Sequence, residues 1–193
     1  MPNLPPSLRP MTRVVATVVA AFALAGPAAA SSLPKPVLEA DYNLQRVGAG
    51  KLSWLGQPIY DASLWTSAGR FRGYAPQEPV ALSLWYQRHF SRDMLLRITD
   101  TAWKRLGEVP AERRQGWLAS LRTFWSDVHP GDNVTTVVVP GQATRFYDES
   151  GFMGQIDDPD FGPAFLSIWL DSRSVVADLR VQLLGLERST ARR

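Results

Sequence analysis

Between Val80 and Gly107 the apolar residues change their spacing, and that change restricts the folds open to this chain. Val80, Leu82, Leu84 and Tyr86 alternate with Ala81, Ser83, Trp85 and Gln87. The alternation predicts a strand over 80–90 with one strongly apolar face. Ser91 is an apt N-cap, and Leu95, Ile98, Ala102 and Leu106 then recur at helical spacing until Gly107. A one-sided strand must be covered by a second layer, and the helix that follows it offers an apolar stripe for that purpose.

The rest of the chain repeats the theme. Tyr42 to Ile59 is strand-like but broken by Gly48, Gly50 and Gly56-Gln57-Pro58, and a strand follows at 60–66. A second helix is predicted after Pro110, with Trp117, Leu118, Leu121, Phe124 and Trp125 as its stripe. Asn133 to Val139 reads as a strand, and 143–147 with 151–156 as a hairpin. Asp158-Pro159 is expected to cap a helix bearing Phe161, Phe165 and Trp169, and Asp171-Ser172 to start a last helix ending at Gly185. Short connections favour antiparallel pairing. The fold class is therefore α+β, an antiparallel β-sheet with helices layered on one face.

The first thirty residues read differently. Arg13 precedes twelve uncharged residues, Val14 to Ala25, and Ala28 and Ala30 supply the small side chains a signal peptidase selects. This is the pattern of a cleaved secretory signal. The run is shorter than the roughly 20 residues that span a bilayer. Residues 1–30 are thus expected to be a signal peptide, 31–186 the folded domain, and 187–193 a flexible C-terminal tail. The mature protein would begin at Ser31 and be periplasmic or secreted.

Composition excludes several function classes. Of 21 basic residues, the signal removes Arg9 and Arg13, leaving 19 against 18 acidic ones. Without a single-sign field, nucleic acid is not an expected partner, nor is capture by an anionic membrane through charge. No stable membrane insertion is expected after cleavage. Cysteine is absent, so disulfides and thiol chemistry are excluded. With only His89 and His129 as histidines, and Asp127, His129 and Asp132 readable as a polar turn, no metal site and no cofactor are expected. The acidic stretch Asp157-Asp158-Pro159-Asp160 is accounted for by a helix N-terminus. Trp85, Trp103, Trp117, Trp125 and Trp169 read as core. Arg88 falls on the apolar face of its strand, where it must exit to solvent, pair with a carboxylate, or serve an anion pocket beside Tyr86.

The segments GAGKLSWLGQPIYDASLWT, PGDNVTTVVVPG, RFYDESGFMGQI and FGPAFLSIWLDSRS resemble the exported bacterial branch of the chalcone isomerase-like family, over about Gln45 to Gly185. The resemblance implies a large antiparallel sheet with helices on one face, in agreement with the pattern above. Plant members cyclise a chalcone to a flavanone. Their arginine would fall near Lys51 or Leu52, their strand threonine near Asp61, their tyrosine near Ser91, their asparagine near Ile98 and their last threonine near Leu179. None of these positions keeps the expected residue, so no catalytic residue is carried over. Relatives of this fold also include non-catalytic fatty-acid-binding proteins. The reading is a non-catalytic protein holding a fatty acid or other small amphipathic carboxylate, with Arg88, Tyr86 and Lys51 as ligand-binding candidates. The alternatives are an isomerase or intramolecular lyase of unidentified substrate, and a structural or protein-binding domain with a filled core.

Overall fold

A computed structural model describes residues 32–73 and 78–186. The expected signal peptide, the tail at 187–193 and residues 74–77 of the loop before Val80 lie outside the described residues. Six strands, β1 (Gln45–Trp54), β2 (Gln57–Thr66), β3 (Val80–Tyr86), β4 (Asn133–Val138), β5 (Thr144–Tyr147) and β6 (Phe152–Ile156), form one sheet. They lie in sequence order, and every neighbour is antiparallel. Leu64 pairs with Leu82 and Leu82 with Thr136, while Ser63, Ser83 and Thr135 share the opposite face.

Helices α2 (Arg92–Leu106), α3 (Ala111–Phe124), α4 (Phe161–Leu170) and α5 (Ala177–Leu183) belong to the layer on the leucine face. Neighbouring pairs in that layer are α5 with α4, α4 with α2, and α2 with α3. α5 lies on β1, and α3 ends beside β6. Ser91 caps α2 through Met94 N–H, and Gly107 ends it with φ of 75°, as the spacing predicts. α1 (Lys35–Glu39) was not expected; its Val37, with Leu33, packs on the other face against Ala81, Val137 and Tyr147. Arg145 donates to the Tyr42 hydroxyl at 2.8 Å and fastens the chain after α1 to that face.

Three boundaries depart from the sequence reading, each for a local reason. β1 runs through Gly48 and Gly50 instead of breaking there. A Cβ at Gly48 would stand 2.2 Å from the carbonyl oxygen of Gln182, so these glycines admit α5 against the strand. β3 stops at Tyr86: Gln87 N–H still reaches the Ile59 carbonyl, but residues 87–89 leave the strand before Phe90 pairs with Val128. The last helix starts at Ala177. Asp171 instead accepts from Arg173 N–H at 2.7 Å and from its guanidinium, which fixes a turn between α4 and α5.

Candidate ligand cavity

A cavity of about 790 Å³ separates sheet from helices at the end of the molecule where β1 meets β2. Its floor is Leu52, Tyr60, Leu84, Tyr86, Val134 and Thr136, residues on the helix-facing side of four successive strands. Leu95, Ile98, Thr99 and Ala102 from α2, Phe165, Ile168 and Trp169 from α4, and Leu179 and Gln182 from α5 form the roof. The volume lies in the range of small-molecule sites, about 300–1,000 Å³.

The hollow has a sequence cause. Of the four α2 positions facing it, Thr99 and Ala102 carry small side chains, while the turn beyond carries Trp103 and Leu106, which are fully or nearly fully buried. Small side chains in the roof, with Leu84 and Val134 in the floor, leave space that larger ones fill nearby. In the filled part Trp103 and Trp117 meet edge to face at 5.5 Å, and Phe161 stacks on Phe165 at 5.4 Å. Their indole N–H groups are satisfied by the Ala164 carbonyl and the Asp158 carboxylate.

The polar groups of the cavity are few. Trp169 donates to the Tyr60 hydroxyl at 2.9 Å. Tyr60 and Tyr86 meet edge to face at 6.0 Å. Burial pushes the Tyr60 phenol up to about 12, although the bond from Trp169 pulls the other way. Burial also raises that of Tyr86, with Tyr60 adding to it. Both phenols stay neutral over the whole physiological range. The Tyr86 hydroxyl has no hydrogen-bond partner among the described residues, so it is a donor and acceptor left for something else. Among the described residues, Lys51 and Asp178 are the only charged side chains in the wall.

The three candidate residues separate in space. Tyr86 lies in the floor. Lys51 borders the cavity, but the pairing of Lys51 with Asp61 and of Leu52 with Tyr60 turns its ammonium to the opposite face. There it lies 3.6 Å from the buried Asp61 carboxylate. Arg88 is exposed and outside the wall. Of the three outcomes open to Arg88, the structure shows the exit to solvent: the alternation ends with β3, and of the pair Arg88 and Tyr86 only Tyr86 lines the cavity. Of the five tryptophans read as core, Trp125 and Trp169 line the cavity and Trp85 lies on the far face. Tyr60, Thr136 and Trp169 were not singled out as site residues. Tyr60 was legible in principle, since it alternates with Ala62 and Leu64 on one side of its strand.

The turn at Asp127–Asp132 holds no metal cluster among the described residues. Asp127 accepts from Arg92 N–H at 2.8 Å and Asp132 from His129 N–H at 2.7 Å. The backbone bond to Arg92 is the main reason the Asp127 carboxyl sits below its ordinary value.

Comparison with known proteins agrees with this architecture. A family model described as chalcone isomerase-like matches residues 28–185. A protein of Haemophilus influenzae, itself uncharacterized, is 23% identical over 149 residues, which cover 75% of this chain and 70% of that one. A solved fatty-acid binding protein of Arabidopsis thaliana superposes with a TM-score of 0.58 and 11% identity, covering 74% of this chain and 87% of that chain. At that identity the likeness is one of fold.

Proposed function

Because the chain belongs to the chalcone isomerase-like family, we propose that it is a non-catalytic binding protein for a small amphipathic molecule, with a fatty acid or similar carboxylate as the simplest ligand. The observation that carries this reading is the 790 Å³ hollow, apolar over most of its wall, with the unsatisfied Tyr86 hydroxyl on its floor. A chain that needed only a packed core would have filled this space, since an empty apolar volume costs about 24 cal/mol per Å³. The fatty-acid binding protein of the same fold supports the ligand class. With the Lys51 ammonium committed to Asp61, no free cation lines the interior among the described residues. An acid therefore keeps its carboxylate toward the mouth and its tail inside, where each buried CH₂ contributes about 0.8 kcal/mol.

Chalcone cyclisation is not part of this proposal. Ile98 and Leu179 stand in the wall where plant members place polar groups, and neither offers a hydrogen bond to a developing charge. Isothermal titration with dodecanoate and with dodecanol tests the binding reading. Saturable uptake of both, within about tenfold of each other, is expected, because the interior selects the tail more than the charge. No uptake of either would remove the reading, and stereoselective chalcone turnover would replace it with an enzyme. We also propose export, supported by the apolar run Val14 to Ala25 and by the small residues at Ala28 and Ala30. N-terminal sequencing of protein recovered from outside the cytoplasm should begin at Ser31.

A further inference from the structure

The hairpin joining β1 to β2 turns in two residues, Leu55 and Gly56, with φ of 49° and 75°. Both values are positive, as a type I′ turn requires, and Asn-Gly or Asp-Gly is the pair that suits it. Leucine is poorly suited to this conformation, because its Cβ crowds the backbone there. Nothing in the fold rewards the choice: Leu55 is 88% exposed. Trp54 beside it is 71% exposed and lines the mouth of the cavity. Two unfavourable features coincide at one residue, and the same tip carries the most exposed tryptophan of the described fold.

The rest of the rim continues the pattern. Ile98 on α2 and Val175 before α5 line the cavity yet are about half exposed or more, and Met94 lies one turn before Ile98. Trp54, Ile98 and Val175, from three separate segments, thus border a single opening, and Leu55 and Met94 are exposed beside them in sequence. The charges nearby are cationic where they are free. Among the described residues the Arg97 guanidinium has no carboxylate partner and touches only the Met94 sulfur, and Arg88 is exposed just past β3, at the sheet end that holds the hairpin tip. The carboxylates around the opening are occupied: Asp93 by Arg122, Asp127 by His89 and Arg92 N–H, and Asp178 of the wall is not free either.

We infer that this rim is a docking surface for a phospholipid bilayer, with Trp54 and Leu55 entering the interface and Arg88 and Arg97 meeting head-group phosphates. Tryptophan and leucine on an exposed tip suit the boundary between head groups and acyl chains. Overall charge is too balanced to hold the protein there by electrostatics, so apolar insertion supplies the affinity and the two arginines set the approach. The docked mouth opens onto the acyl region, and an amphipathic molecule passes between bilayer and cavity without crossing water. The docking stands on the rim's geometry; only its purpose rests on the ligand-binding reading.

Leu55→Asn tests it, because asparagine restores the favoured Asn-Gly turn while withdrawing the apolar tip. The exported protein is sedimented with vesicles of phosphatidylglycerol and phosphatidylcholine, beside the variant in the same form. Any contribution of the N-terminal apolar run is then common to both. Sedimentation of the unaltered protein is expected, with about tenfold weaker partitioning of Leu55→Asn, as withdrawal of one leucine from an apolar phase predicts. The variant's melting temperature should be unchanged or higher, and Met94→Gln should weaken partitioning in the same direction. Absence of sedimentation, or equal sedimentation of all three proteins, overturns the proposal. So does a concentration-dependent dimer that Leu55→Asn dissolves, which makes the rim a contact between copies. Dodecanoate titration of Leu55→Asn in vesicle-free buffer reads the ligand reading separately.

Discussion

The two ends of the layer between sheet and helices are built from the same elements and finished differently. At one end Trp103, Trp117, Phe146, Phe161 and Phe165 fill the space, and the two indole N–H groups there find acceptors. At the other, Leu84, Val134, Thr99 and Ala102 face each other across a void, and the Tyr86 hydroxyl is unpaired. The contrast separates stability from function inside one core. The aromatic end holds sheet and helices together, and so the other end can remain hollow.

If that division is real, truncations at the two ends should differ sharply. Phe146→Ala removes a fully buried ring touching Trp125, Phe161 and Phe165, and should cost about 4 kcal/mol. Leu84→Ala, already beside empty volume, should cost about 2 kcal/mol, because fewer contacts are lost. Urea unfolding of the two variants decides the matter, and equal losses would mean the cavity is collapsed in solution.

Filling the hollow sharpens the comparison from the other side. Ala102→Leu adds three carbons to the α2 wall where space exists. Dodecanoate affinity should fall about tenfold while stability changes by less than about 1 kcal/mol. The same enlargement in the aromatic end would meet close packing and destabilise it. A variant that loses stability with full binding retained would place the ligand elsewhere.

The smallest effects concern the two tyrosines. Tyr60→Phe leaves the Trp169 N–H without its acceptor and should cost about 1 kcal/mol. Tyr86→Phe breaks no bond within the protein and should be neutral in the free state, weakening only ligand binding. Alkaline pH discriminates further. The Tyr60 phenol is raised from 10.0 to about 12, so the fold favours the neutral form. That contribution is complete below about pH 10 and is lost as pH rises through about 12. Melting curves across this window should fall less steeply for Tyr60→Phe than for the unaltered chain, and parallel slopes would deny the burial of Tyr60.

The aromatic end was the more legible of the two. Apolar stripes at helical and strand periods named Trp117, Leu121, Phe161 and Phe165 as core, and the caps Ser91 and Gly107 bounded α2 without tertiary help. The cavity was not legible, because a void has no residue of its own. It arises from which small side chains on α2 face which strands, and that depends on register. Lys51 illustrates the point. Its place on the near or far face follows from a register irregularity between Arg46 and Gly48, which no alternation pattern announces. Arg88 stands outside the wall for a related reason: the alternation continues in sequence after the strand has ended at Tyr86.

The glycines that admit α5 have a consequence in time. Gly48 and Gln182 touch across roughly 130 residues of chain, a closure that must wait for the last helix, whereas α2, α3 and α4 meet partners much nearer in sequence. During synthesis the aromatic end can consolidate while the floor of the cavity still lacks the wall that Leu179 and Gln182 provide. The cavity is therefore the final compartment to be closed, and it is closed by the helix that also buries Leu179 and Leu183.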